Sequence, residues 1–358
     1  MTENRILQSL EELKETEYPI YVWAGGTLGY KIAQLYKKHG IEIAGYLVDS
    51  GYKPGCFTDG KEELCFSDFF RSLDFTIDLI VGCSSAWTKK MANEFDRTHI
   101  HKIYDGDIAA ALCGSEEFNT YDERFWNENR SGFMESREKL CDEESKEAFD
   151  EFIYQKRTAI HWKPFSKDIQ YFDKNIMKFH DREVMVDVGC LDGGTAIEFK
   201  KALERQGIHT YKEIIALEPS AIWIAFIENR MEKLPDFRLI KKGAWDKKDV
   251  LRFSADHGGN SLITNEGNTE IEVDTIDNML GDTAATFIKM DIEGSELKAL
   301  QGAKNQISKN RPKLAVSVYH RKTDLIDIPT YLLSLVPDYK LYLRSYRSGG
   351  FETVLYAI

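Results

Sequence analysis

The run Asp187-Val188-Gly189-Cys190-Leu191-Asp192-Gly193-Gly194-Thr195 gathers glycines, carboxylates and a hydroxyl in one short turn. Glycines in such a turn let the backbone bend sharply and approach a ligand that a Cβ would exclude. The spacing is G-x-x-x-G-G, not the G-x-G-x-x-G that cradles a pyrophosphate, and it suits the amino-acid end of S-adenosylmethionine (SAM) better. Asp187, Gly189, Gly193, Gly194 and Thr195 are therefore candidate cofactor contacts. Glu218 closes the apolar run Ile214-Ile215-Ala216-Leu217, and a carboxylate at a strand end can accept hydrogen bonds from both ribose hydroxyls. Taken singly, these features would read as a structural turn and a surface glutamate. Their joint occurrence at consecutive strand ends points to one ligand. Gly243-Ala244-Trp245 follows a third apolar run, where adenine can lie between backbone and an apolar side chain, so Ala244 and Trp245 join the set. Trp245 could equally pack in the core.

A second group of residues could handle an acceptor. In an extended chain alternate residues share a face, so Lys289, Asp291 and Glu293 point one way at the end of Phe287-Ile288-Lys289-Met290. In open α/β sheets ligands bind at that carboxyl edge. Another strand, Lys313 to Val318, delivers Tyr319-His320-Arg321-Lys322 and then Asp324. A histidine leaving a strand into a cleft is a candidate general base; its other reading is a solvated histidine beside a basic pair. A hydroxyl is a poor nucleophile until its proton is removed. His320 could remove it, with Asp291 orienting the imidazole or the acceptor. The alternative is a divalent ion held by Asp291 and Glu293. That ligand set is thin for a tight Mg²⁺ site, so the metal-free base is the favoured expectation. Glu296 may be read as complementing the start of the following helix.

These residues need elements to hold them. Ile20 to Trp23, Ile43 to Val48 and Phe75 to Val81 read as buried strands, with helices over Tyr30 to His39 and Trp87 to Phe95. This order predicts a small Rossmann-like parallel α/β domain over 1–107. Its turn, Ala24-Gly25-Gly26-Thr27-Leu28-Gly29, has Ala where the dinucleotide fingerprint has its first glycine, while Asp49 sits where a ribose-binding acid would. A site for a nucleotide or nucleotide-sugar, a site for NAD, and a scaffold or dimerisation role all remain open. Residues 108–182 turn charged and aromatic, with helical periodicity over Phe125 to Leu140 and Ser145 to Tyr154; they predict a helical connector over the second domain's cofactor mouth. From 183 to 358 the α/β alternation restarts, with strands at Val184 to Val188, Ile214 to Glu218, Phe237 to Lys242, Ala285 to Met290 and Lys313 to Val318. It ends in a hairpin, Tyr339 to Tyr346 and Phe351 to Tyr356 around Ser348-Gly349-Gly350. An antiparallel hairpin closing a parallel sheet is typical of SAM-dependent methyltransferases and argues against a plain dinucleotide dehydrogenase.

The 358 residues suffice for two cores. A net charge of −12 repels a phosphate backbone or an anionic membrane surface, so nucleic acid is not the expected partner. The N-terminus lacks a basic flank and apolar stretch, and no run reaches membrane-spanning length. The six cysteines show neither C-x-x-C pairs nor metal-ligand spacing, which suits reduced thiols in a cytoplasmic protein.

Together these segments resemble the FkbM family of SAM-dependent methyltransferases over roughly Asn119 to Ile358. The resemblance rests on Val186-Asp187-Val188-Gly189 with Asp192-Gly193, Glu218-Pro219 and Val273-Asp274-Thr275-Ile276-Asp277. It continues in Lys289-Met290-Asp291-Ile292-Glu293-Gly294-Ser295-Glu296 and in Tyr319-His320 with Asp324. It implies a class I methyltransferase fold and places Ile169-Gln170-Tyr171-Phe172-Asp173 over the cofactor, adding Gln170 and Tyr171 to the candidate contacts. It also implies O-methylation of a sugar, glycan precursor or natural-product hydroxyl, the acceptor being a small molecule or glycan, nucleotide-linked or not. The competing expectations are a nucleotide-dependent oxidoreductase or epimerase using the first domain, and a non-catalytic nucleotide-binding assembly protein. Homo-oligomerisation is compatible with any of these.

Overall fold

The computed structural model describes residues 11–23, 36–48, 61, 63–81, 98–104, 121–158, 166, 168–254, 262–263, 269–346 and 352–358. Contacts divide the chain into two compact units: Met1–Asp122 with Phe152–Lys163, and Glu123–Glu151 with Pro164–Ile358. The residues expected to form a connector, 108–182, are thus shared between the units. Among the described residues no helix is long and apolar enough to cross a membrane.

In the first unit, β1 (Ile20–Trp23), β2 (Ile43–Val48), β3 (Glu63–Cys65), β4 (Ile77–Val81) and β5 (Ile100–Tyr104) form one sheet in the order β3-β2-β1-β4-β5. Every pairing is parallel. Buried on both faces, the central strands read as unbroken apolar runs, which is why they were legible. β4 starts at Ile77, leaving Phe75 exposed. The helix Phe66–Ser72 lays Phe66 against Trp23 with ring centroids 3.9 Å apart. Of the expected helix Tyr30 to His39, residues 36–38 are helical, and the chain turns at Gly40 with φ +78°. The glycine turn at 24–29, Asp49, the stretch Trp87 to Phe95 and the hairpin tip at 348–350 lie outside the described residues.

The main sheet of the second unit has seven strands: β6 (Val184–Val188), β7 (Glu213–Leu217), β8 (Phe237–Ile240), β13 (Phe287–Met290), β14 (Lys313–Ser317), β15 (Leu341–Ser345) and β16 (Thr353–Ala357). Their order is β15-β16-β14-β13-β6-β7-β8. β16 runs antiparallel to both neighbours, so the second strand of the expected hairpin, not the first, pairs with β14. The other pairs are parallel. The chain steps outward from β6 to β7 and β8, then crosses back to β13, which makes the β6–β13 junction a topological switch point, where such sheets bind ligands. Helices Gly194–Arg205, Ala221–Met231, Glu296–Gln301 and Asp324–Leu335 connect or flank these strands. Helices Glu123–Glu138 and Glu143–Thr158 precede them. Arg344, on β15, donates to Asp142 Oδ2 at 2.8 Å and to Ser145 Oγ at 2.8 Å, fastening the start of the latter helix to the sheet.

A further small sheet was not anticipated: β9 (Gly243–Ala244), β10 (Asp249–Ser254), β11 (Leu262–Ile263) and β12 (Thr269–Asp274), in the order β11-β10-β12-β9. Ile271 and Val273 form its buried face. Thr275 then caps the helix Ile276–Leu280, its Oγ1 accepting from the Asn278 N–H at 3.1 Å.

Candidate active site

The site begins where β6 and β13 end side by side. Gly189 takes φ +76°, and a Cβ there would stand 2.1 Å from the Asp291 carbonyl oxygen, so no other residue fits without displacing a strand. The Asp291 N–H donates to Val188 O at 3.1 Å, and the Gly189 N–H to Leu217 O at 3.1 Å. Lys289, in the middle of this junction, donates to Gly189 O at 2.6 Å and pairs with Asp187 Oδ1 at 3.0 Å. Both side chains are buried. Burial opposes the Lys289 charge, but the Asp187 and Asp291 carboxylates outweigh it and hold its pKa above the usual value. Asp187 is therefore a buried counter-ion that sets the loop through Lys289.

From this junction an open cleft of about 770 Å³, mouth included, runs toward β7 and the small sheet, past Gly189, Glu218, Trp223, Ala244, Asp291 and Glu293. Glu218 is 6% exposed. Its Oε1 accepts the Ser220 N–H at 2.9 Å and its Oε2 the Leu191 N–H at 3.1 Å. Burial pushes its pKa up to about 7, against the pull of those two N–H groups. Each oxygen keeps a lone pair for a further donor.

On the β13 side of the junction lies a knot of acids, tyrosines and one histidine. Asp291 Oδ2 accepts from Tyr171 Oη at 2.8 Å. Tyr171 itself has φ +67°, and its N–H donates to Tyr356 Oη at 3.0 Å. His320 Nδ1 lies 2.9 Å from Glu296 Oε1, and Nε2 lies 3.5 Å from both Asp291 Oδ1 and Glu293 Oε2. Glu293 has φ +53° beside Gly294 at φ +91°, a tight turn that brings its carboxylate to the cleft wall.

Residues 212–347 match a family model described as the methyltransferase FkbM domain. That match covers a little over a third of the chain. Its fold is shared, at TM-score 0.65 and 24% identity, with the crystal structure of methyltransferase FkbM from Methylobacillus flagellatus KT, over 99% of this chain and 93% of that one. An rRNA methylase from Streptococcus thermophilus aligns at TM-score 0.30 and 12% identity, over 49% of this chain and 86% of its own. Aeropyrum pernix fibrillarin with natively bound S-adenosyl-L-methionine aligns at TM-score 0.30 and 8% identity, over 52% and 71%. No curated protein matches this chain.

The expected residues separate into groups. Gly189, Glu218, Ala244, Asp291 and Glu293 line the cleft. Tyr171 and His320 touch Asp291 from behind. Gln170 donates to Glu352. Gly193, Gly194 and Thr195 serve the start of helix Gly194–Arg205: a Cβ on Gly193 would meet Met231 Cε at 2.8 Å, and the Gly194 N–H donates to Asp192 Oδ1 at 2.8 Å. The Trp245 ring packs against Ile271 and Val273, which is the core role it could equally have had.

The sequence reading missed Leu191, Pro219, Trp223, Ile271 and Ile292, which also line the cleft. One signal was available. Ala-Ile-Trp-Ile-Ala-Phe-Ile, which opens helix Ala221–Met231, is too apolar for a one-sided surface helix, and it leaves Ile222 and Phe226 exposed. Glu296 was read only as a helix-start charge. It is 1% exposed and also accepts the Ile292 N–H at 2.8 Å.

Electrostatics at this end favour a cation. Burial alone would strip the proton from His320, but Glu296, Asp291 and Glu293 prevail and push its pKa up to about 10. Burial raises Glu293 to about 7 despite His320, and it raises Asp324 to about 7 with Glu296 adding to the effect. A general base must be neutral before it acts, and this field keeps the imidazole charged. Asp291, Glu296 and His320 can each present a ligand atom within 4.8 Å of the others, so the cluster could also hold a metal ion.

Proposed function

We propose that the protein binds SAM in this cleft and methylates a hydroxyl of a sugar, glycan precursor or natural product. The observation that carries the reading is the pairing of a Cβ-free backbone at Gly189 with the Glu218 carboxylate across one cleft. That pairing fits the cofactor: Gly189 turns the chain at the end of β6 into the cleft wall where the amino-acid end would lie, Glu218 has lone pairs for two ribose hydroxyls, and Trp223 and Ala244 offer apolar walls for adenine. SAM supplies an electrophilic methyl group. Lys289 keeps the Gly189 carbonyl fixed, so the cradle is formed before any ligand arrives. Asp291, Glu293 and His320 lie on the β13–β14 side, where they can orient an acceptor hydroxyl and manage its proton. An acid-lined pocket suits a neutral or cationic acceptor better than a phosphorylated one.

The test is calorimetric. Charge-assisted hydrogen bonds to Glu218 contribute roughly 1.5–3 kcal/mol, so Glu218→Ala weakens SAM binding about tenfold or more while the melting profile remains that of a folded protein. Unchanged affinity would remove the assignment.

A further inference from the structure

We infer that Asp291, Glu293 and His320 hold a divalent cation at the acceptor end of the cleft, with Glu296 as the positioning residue behind His320. The role of the ion rests on the methyl-transfer reading; its binding does not.

The geometry comes first. His320 Nε2 is 3.5 Å from Asp291 Oδ1 and 3.5 Å from Glu293 Oε2. Ligands about 2.1–2.3 Å from one ion, set at right angles, lie about 3 Å apart, so each carboxylate oxygen need close on the imidazole nitrogen by only a few tenths of an ångström. The imidazole is backed in the manner of metal-bound histidines, whose second nitrogen faces a carboxylate that fixes the ring. Here Nδ1 faces Glu296 Oε1 at 2.9 Å, and the same oxygen is anchored by the Ile292 N–H. The second Asp291 oxygen is held by Tyr171, leaving Oδ1 on the side of the histidine. Asp291 and Glu293 line the cleft, so the remaining coordination positions can open onto it.

Charge gives an independent argument. Glu296 Oε2 is buried without a hydrogen-bond partner, in a side chain only 1% exposed. Asp324, also buried, adds its carboxyl to the same surroundings. A buried carboxylate oxygen with no donor is costly, and a divalent ion beside it offsets that cost more fully than one imidazole proton. Two carboxylates, one imidazole and open positions suit an oxygen-preferring ion of the Mn²⁺ or Mg²⁺ kind. An acceptor hydroxyl bound to such an ion loses its proton more easily, to the water of the open cleft, and needs no neutral base beside it.

The experiment uses the full chain, stripped with a chelator, dialysed and titrated with MnCl₂ while electron paramagnetic resonance counts free Mn²⁺. One saturable Mn²⁺ per chain is expected. Glu293→Gln and His320→Ala each weaken it at least tenfold, and Glu296→Gln weakens it by about 10- to 100-fold with an unchanged melting temperature. Glu293 is the most exposed of the set, so Glu293→Gln serves if either of the buried variants fails to fold. The absence of saturable Mn²⁺, or binding indifferent to Glu293→Gln, overturns the proposal. SAM calorimetry in metal-free buffer separates the two readings: Mn²⁺ bound without SAM leaves this site standing and removes the methyl donor, and SAM bound without Mn²⁺ does the reverse.

Discussion

The two units are built on parallel sheets whose first five strands follow one order, β3-β2-β1-β4-β5 in the first and β8-β7-β6-β13-β14 in the second. Each therefore has a switch point beside its first strand. The side chains there differ. In the first unit the paired strands β1 and β4 end in Trp23 and Val81, both buried and apolar, with Trp23 stacked on Phe66. In the second, β6 and β13 carry the buried pair Asp187 and Lys289 and run directly into Gly189 and Asp291. A buried ion pair costs desolvation that an apolar strand end does not bear. The two sheets reverse at the same place, and among the described residues the paired strand ends carry a buried ion pair in the second unit.

The contrast is broken most sharply at the acceptor end. His320→Ala removes the imidazole ligand of the proposed ion and should lower turnover by about 10²- to 10⁴-fold while SAM affinity changes little, because the histidine lies away from the Gly189 and Glu218 contacts. Labelled SAM, screened against candidate hydroxyl acceptors, measures the first quantity and calorimetry the second. Equal losses in both would mean that the two ends of the cleft are not separable.

Next in size is the buried pair itself. Lys289→Met leaves Asp187 without its counter-ion and frees the Gly189 carbonyl. Removing one partner of a buried pair costs about 3–5 kcal/mol, so denaturant unfolding should show a loss on that scale. A loss below about 1 kcal/mol would place the pair among weak surface bridges and weaken the contrast with the apolar ends of β1 and β4.

How much of this was legible follows from what is local. β2 and β6 were read with their observed bounds because strands buried on both faces appear as apolar runs. The small sheet was missed because β11 has two residues, and Val250, on β10, is 55% exposed, so apolar residues there do not mark one face. Gly189, Glu218 and Asp291, which line the cleft, could be singled out because each sits within a short segment that has its own signature. The link from Glu296 to His320 spans 24 residues, and that from Tyr171 to Asp291 spans 120; both exist only once separate strand and helix ends meet. No spacing rule reaches that far, and only the family resemblance placed Tyr171 near the cofactor.

The smallest predicted effect lies at the cofactor end and concerns pH. Burial raises Glu218 to about 7 from an ordinary value of 4.5, so in the ligand-free protein the carboxylate is fully charged only above neutrality. A raised carboxyl pKa stabilises the folded state below the ordinary value, and that contribution is lost as pH rises through 7. Ribose hydroxyls prefer the charged form as acceptor, so SAM affinity should change in the opposite sense, increasing about tenfold from pH 6 to pH 8. Calorimetry across that range, with ligand-free melting measured in the same buffers, tests both signs at once. Glu218→Gln carries no titrating group and should flatten the affinity profile and lessen the slope of the melting profile, to which Glu293 and Asp324 still contribute. An affinity that falls as pH rises, or a Glu218→Gln profile that keeps the wild-type slope, would move the titration to another residue and leave Glu218 as a structural clasp between Leu191 and Ser220.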